Sequence, residues 1–257
     1  MLCVVGVVMG VTQLHDVVYV VCWNYSTVRR FNATTRLPLN DINVKDLRQP
    51  YDIATCEQTS QLYVADLQCV WRMSSDGADI KHWLPKSPDD TFKPRKLSVT
   101  STRLLVTLLY TRQLRQFDAD GDELRCIQLP DDTRPQHAVE SPTGTFVASV
   151  DNTQLKQGQV IEVNTEGEVL RQFSGGLTSL GYTPHIAVDS CGNILVADQE
   201  NNRIALLDCH ISLRRVIIDK YQLYYRRPER LCYREHSGQL LIGFSRGDNV
   251  MFDVLCR

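Results

Sequence analysis

The stretch His185–Asp208, HIAVDSCGNILVADQENNRIALLD, decides the fold. It opens on an apolar run and turns at Asp189-Ser190-Cys191-Gly192. A second apolar run, Ile194–Ala197, follows. After the polar loop Asp198–Asn202 comes a third, Ile204–Leu207. Short apolar runs cut by Gly, Asn and Asp read as strand, turn, strand, loop, strand. Period-two stretches such as Gln61–Ala65 and Asn193–Ala197 support strands, and no long amphipathic helical pattern competes with them.

Outward from this stretch the pattern repeats. A proline opens each unit at Pro50, Pro94, Pro135, Pro184 and Pro228, at intervals of 44, 41, 49 and 44 residues. The first strand's apolar opening falls at Ile53, Leu97, Ala138, Ile186 and Leu231. Second strands fall at 62–66, 104–107, 146–149, 194–198 and 240–243. Gly144, Gly192 and Gly238 separate first from second strands. Gly77, Gly121 and Gly167 separate third from fourth. Third strands are expected near 27–31, 69–73, 113–118, 159–163, 202–207 and 249–254. Fourth strands are expected near 42–45, 79–83, 123–127, 168–173 and 212–217. Tyr19, 44 residues before Tyr63, marks a less regular copy at the start.

Four short strands per unit of roughly 43 residues predict an all-β, six-bladed β-propeller. The expected units are 1–47, 48–91, 92–132, 133–180, 181–225 and 226–257, forming a single domain. The last unit lacks a fourth strand. The apolar segment 2–12 is expected to close the ring, either as the outer strand of the last blade or as the inner strand of the first.

The unit Pro184-His185-Ile186-Ala187-Val188-Asp189, Gly192–Asp198, Asn202-Arg203-Ile204 resembles the NHL repeat, and Pro50–Ala54 with Leu62–Asp66 keeps part of it. The resemblance covers the whole chain by register. It points to the C-terminal propellers of tripartite-motif-like proteins, which recruit protein or RNA partners. The RING and B-box spacings of that family are absent from this sequence. The resemblance therefore implies non-catalytic recognition of a protein partner without a cofactor, as the substrate-recognition part of a ubiquitin-ligase-like protein. Two alternatives stand beside it: single-stranded RNA binding, and a metal-dependent lyase or hydrolase using the central channel. The second rests on similarity to the amidating lyase, with histidine-bound zinc, and to the lactonase and esterase group, with central calcium.

Composition narrows the classes. With 28 Lys and Arg against 30 Asp and Glu, the formal charge is −2, which argues against a strongly basic nucleic-acid module. The N-terminal apolar run of eleven residues is too short to span a membrane and has no basic region before it. Nine scattered cysteines without a C-x-x-C predict reduced thiols in a cytoplasmic, monomeric protein.

Two constellations carry candidate chemistry. Asp52, Lys96, His137, His185 and Arg230 each precede a first strand's apolar opening, so they are expected to crowd one mouth of the central channel. His137 and His185 are the nearest match to a zinc pair, with Asp52 as a third ligand. Glu140, Asp189 and Asp52 are the candidates for calcium. The second constellation is Arg214, Arg215, Tyr224, Tyr225, Arg226, Arg227 and Arg230, a partner-binding cluster suited to protein or RNA, with Arg29-Arg30 in the first unit. Asp66, Asp198 and Arg203 read as loop-pinning residues, and Trp71 and Trp83 as packing between blades.

Overall fold

The computed structural model describes residues 2–3, 6–85, 88–173, 179–182, 185–234, 237–244 and 249–254. These carry 24 strands in antiparallel four-stranded sheets. Five sheets are self-contained meanders in chain order. The first is β2 (Val8–Leu14), β3 (Val17–Cys22), β4 (Thr27–Asn32) and β5 (Ile42–Asn43). The second is β6 (Asp52–Cys56), β7 (Gln61–Ala65), β8 (Val70–Ser74) and β9 (Ile80–Leu84). The third is β10 (Pro94–Thr100), β11 (Arg103–Leu108), β12 (Gln113–Phe117) and β13 (Glu123–Gln128). The fourth is β14 (Thr133–Glu140), β15 (Phe146–Asn152), β16 (Gln157–Val163) and β17 (Val169–Phe173). The fifth is β18 (His185–Val188), β19 (Ile194–Asp198), β20 (Arg203–Leu207) and β21 (Leu213–Ile218).

The remaining sheet is composite. β22 (Pro228–Arg234), β23 (Gln239–Phe244) and β24 (Asn249–Val254) are joined by β1 (Leu2–Cys3), which pairs Leu2 with Val250 and Cys3 with Asn249. The N-terminal segment thus supplies both an outer strand at one end of the ring and the inner strand β2 next to it. This corrects the expectation of six NHL repeats. The sequence provides five complete four-stranded units, not six, and the last sheet is assembled from both ends of the chain. Pro184, which opens the best-matching unit, lies outside the described residues, as do Thr183 and Arg257.

The core is divided into seams. Each seam lies between two successive sheets, where branched aliphatics of second strands meet those of the next first strand. Val64, Leu62 and Ile53 pack against Leu14, Tyr19 and Val21. Trp83 and Tyr63 pack against Leu97, Leu104 and Phe92. Leu241 and Val250 pack against Val8, Val18 and Val20, which joins the composite sheet to the first. The innermost strands β2, β6, β10, β14, β18 and β22 touch in that order, and β22 returns to β2. No described helix is long and apolar enough to cross a membrane.

The repeated prolines have a local consequence. Proline lacks an N–H, so it interrupts the ladder where a strand begins. The register shifts between Pro94 and Lys96, Pro135 and His137, and Pro228 and Arg230. A matching shift falls between Val8 and Gly10. Each bulge leaves one residue unpaired and re-aims the next.

Candidate metal centre in the central channel

The re-aimed residues fall at one level of the ring. Gly10, Lys96, His137 and Arg230 follow bulges, and Asp52 and His185 begin β6 and β18. The second-strand residues opposite Asp52, Lys96, His137, His185 and Arg230 are Ala65, Thr107, Ser149, Ala197 and Gly243. These small partners leave room for polar side chains between converging strands. All five polar ring side chains are buried. The repeat spacing marks these five residues and leaves Gly10 unmarked. A Cβ at Gly10 would lie 2.7 Å from the Ile53 nitrogen and 3.0 Å from the Asp52 Cα. Only glycine lets β2 approach β6 this closely.

Inner strands have one edge without a ladder partner, so their backbone groups must be satisfied otherwise. The ring does this. Asp52 Oδ2 accepts from the Leu97 N–H at 3.0 Å, and Lys96 Nζ donates to the Tyr51 carbonyl at 3.1 Å. His137 Nδ1 accepts from the Ile186 N–H at 3.3 Å, so its proton is on Nε2, 3.3 Å from the Leu97 carbonyl. Arg230 Nε donates to the Met9 carbonyl, and its Nη1 pairs with Glu229 Oε1 at 2.8 Å.

His185 differs. Its ring stacks on that of His137, with centroids 3.7 Å apart and planes 17° apart. Its Nε2 is 4.0 Å from Asp52 Oδ2, and its Nδ1 is buried without a hydrogen-bond partner. Burial pushes the His137 imidazolium pKa down to about 3, reinforced by the Lys96 charge. Burial, then His137, Lys96 and Arg230, holds the pKa of His185 well below its ordinary value. Both imidazoles are neutral at neutral pH, the form that ligates a metal. Burial raises the Asp52 carboxyl pKa against the pull of Lys96 and Arg230. Burial and Arg230 hold that of Lys96 well below the ordinary ammonium range.

One ligand atom from each of Asp52, His137 and His185 can be chosen so that all three lie within 4.8 Å of one another. Two neutral imidazoles and a carboxylate suit a borderline transition metal such as zinc better than calcium, which prefers oxygen. Three protein ligands leave further positions for water or substrate. His185 Nδ1 is the open donor. His137 must exchange one backbone hydrogen bond to join it.

This cluster corrects the expectation of a purely non-catalytic scaffold without enzymatic activity, because the channel holds a metal-competent donor set. The calcium candidates do not converge. Glu140, at the far end of β14, accepts from Gln116 Nε2 at 2.8 Å and pairs with Arg103 at 2.7 Å. Asp189 is taken up by its own turn, accepting from the Cys191 and Asn193 backbones. Asp66 and Asp198 pin loops. Asp66 accepts from the Gln68 and Cys69 N–H groups and from Trp71 Nε1. Asp198 accepts from Gly181, Asn201 and Arg203.

The arginine cluster is split. Arg230 is 2% exposed inside the channel, away from any surface strip. Arg214, on the outer strand β21, pairs with Asp208 at 3.1 Å. The continuous basic strip needed for the RNA reading is therefore broken. Tyr224, Tyr225 and Arg227 are exposed on the connection between β21 and β22, and Arg226 is half-buried over the Phe244 ring.

No protein-family model matches the chain, and no curated protein matches it. The expected kinship with NHL repeats and tripartite-motif propellers is thereby corrected: the register similarity finds no family behind it. Solved structures do share the fold. The chain is similar to a Kuenenia stuttgartiensis hydrazine synthase structure (TM-score 0.66, 13% identity), covering 96% of this chain and 95% of that one. It is similar to a nidogen/laminin complex structure (TM-score 0.65, 16% identity), covering 84% and 81%. It is also similar to a catalytically inactive histidine-to-alanine variant of virginiamycin B lyase from Staphylococcus aureus with quinupristin (TM-score 0.70, 14% identity), covering 97% and 80%. At these identities the likeness concerns the fold, and the three proteins differ in function.

Proposed function

We propose that Asp52, His137 and His185 hold a divalent transition metal and that the protein is a metal-dependent lyase or hydrolase acting through the central channel. The convergence of these three donors within 4.8 Å carries the reading. The unpartnered His185 Nδ1 supports it, since a buried polar atom without a partner is costly unless a ligand completes it. A lyase inactivated by loss of one histidine is among the proteins sharing the fold.

The roles follow from position. Asp52, His137 and His185 hold the ion. When bound, the ion polarises a substrate oxygen or lowers the pKa of a water. Lys96 lies in the next inner strand after Asp52, and burial, then Arg230, lowers its pKa, which moves it toward the range of a group that exchanges a proton. Arg230 is held by the Met9 carbonyl and Glu229, which fix its guanidinium beside the ligand set without placing it among the donors.

The test is cobalt titration of protein dialysed against a chelator, followed by absorbance and calorimetry. One cobalt ion per chain with tetrahedral absorption bands is expected, and His185→Ala should weaken binding by about tenfold or more. Ester, lactone and elimination substrates are then compared with the metal-free and metal-loaded protein. Absence of cobalt binding by the wild-type chain overturns the reading.

A further inference from the structure

The connection from β21 to β22, residues 219–227, presents three tyrosines to solvent. Tyr221 is 63% exposed, Tyr224 73% and Tyr225 62%. They are held in place by the loop. Asp219 Oδ1 accepts from the Tyr221 and Gln222 N–H groups, and the Tyr225 N–H donates to the Lys220 carbonyl. Leu223 is fully buried and anchors the loop in the seam between the fifth and the composite sheets. Tyr221 and Tyr225 meet edge to face at 5.7 Å, and the Lys220 ammonium sits 5.2 Å from the Tyr221 ring centroid.

Tyr224 and Tyr225 have φ of 53° and 57°. Two consecutive bulky residues in the left-handed region are uncommon, and Asn or Gly would fit there with less strain. The surroundings hold this backbone: Leu223 is anchored in the seam and Asp219 caps the loop. The charge around the rings is one-sided. Lys220 and Arg227 are exposed within this loop, whereas the Asp219 carboxylate is turned into its own loop.

We propose that this connection is a docking surface for an acidic polypeptide segment carrying aromatic side chains. Rigid tyrosines supply contact area at low entropic cost, and the exposed Lys220 and Arg227 complement carboxylates. A nucleic acid needs a longer positive track than this patch offers, because Arg230 is withdrawn into the channel.

Fluorescence anisotropy with a labelled random glutamate–tyrosine copolymer tests the proposal, with polyglutamate and polyuridylate as comparison probes. The copolymer should bind, and more tightly than polyglutamate. Tyr224→Asn with Tyr225→Asn keeps the left-handed backbone and removes both rings. It should weaken copolymer binding by about fivefold or more without lowering the melting temperature. Lys220→Ala with Arg227→Ala, on the same exposed surface, should also weaken it and steepen no unfolding transition. The proposal is overturned if the copolymer fails to bind or binds the variants as tightly as wild type. It is also overturned if polyuridylate binds as tightly as the copolymer and is lost with the same substitutions.

Discussion

At Tyr110 the backbone φ is 68° and the side chain is 89% exposed. The four-residue loop between β3 and β4 places Asn24, with φ 62°, at the equivalent position. Asparagine tolerates this conformation where tyrosine is strained, and the exposed ring loses no packing on replacement. Tyr110→Asn should therefore stabilise the fold by about 0.5–1 kcal/mol, read by urea unfolding. A second residue-scale prediction concerns acid. The Thr91 hydroxyl, then Arg115, pulls the Asp89 carboxyl pKa down to about 2. A folded pKa below the unfolded one means that the unfolded chain binds more protons between these values. The stabilisation is thus complete above about pH 4 and is lost as the pH falls through 2. Thr91→Ala should lower the melting temperature at pH 6, and the difference from wild type should shrink toward zero near pH 2. A difference that stays constant with pH would contradict this account.

At the scale of elements, the inner strands are where sequence reading succeeds and where it stops. Strand spans read from alternation agree with the structure to within a residue or two along most of the chain, because one-sided burial imposes period two. The ring Asp52, Lys96, His137, His185 and Arg230 was legible because each residue precedes an apolar opening at the repeat spacing. Two things were not legible. Convergence of the donors depends on bulges, which shift register by one residue and leave no mark in composition beyond the prolines. Arg230 looked like part of a surface cluster because it follows Arg226 and Arg227 in sequence, yet the bulge after Pro228 turns it inward. Gly10 shows what the bulged ring demands. Gly10→Ala would press a methyl group against the backbone at Ile53 and Asp52, forcing β2 from β6. It should cost about 1–3 kcal/mol in chemical denaturation, the range for overpacking a tight contact. Cobalt affinity should fall with it, since Asp52 moves with the displaced strand.

The whole molecule closes through a seam made from both ends of the chain. Val20 and Val8 in the first sheet meet Leu241 and Val250 in the composite sheet, and Leu2–Cys3 pairs with Asn249–Val250. A linear array of repeats has neighbour interfaces only and unfolds piecewise from its ends. A ring has no ends, so each seam supports the others and unfolding is expected to be one cooperative transition. Two fully buried valines distinguish these cases. Val20 lies in the closing seam, and Val196 lies in the interior seam between the fourth and fifth sheets. Each Val→Ala change removes buried methyl groups and should cost about 1–3 kcal/mol. In a closed ring both variants keep a single transition, with tryptophan fluorescence and far-ultraviolet circular dichroism coincident and similar denaturant slopes. If closure contributed little, Val20→Ala would detach the terminal sheets first, and the fluorescence of Trp23 in the first sheet's loop would change before the circular dichroism. Coincident transitions in Val196→Ala but separated ones in Val20→Ala would show that the joined termini do not hold the ring together.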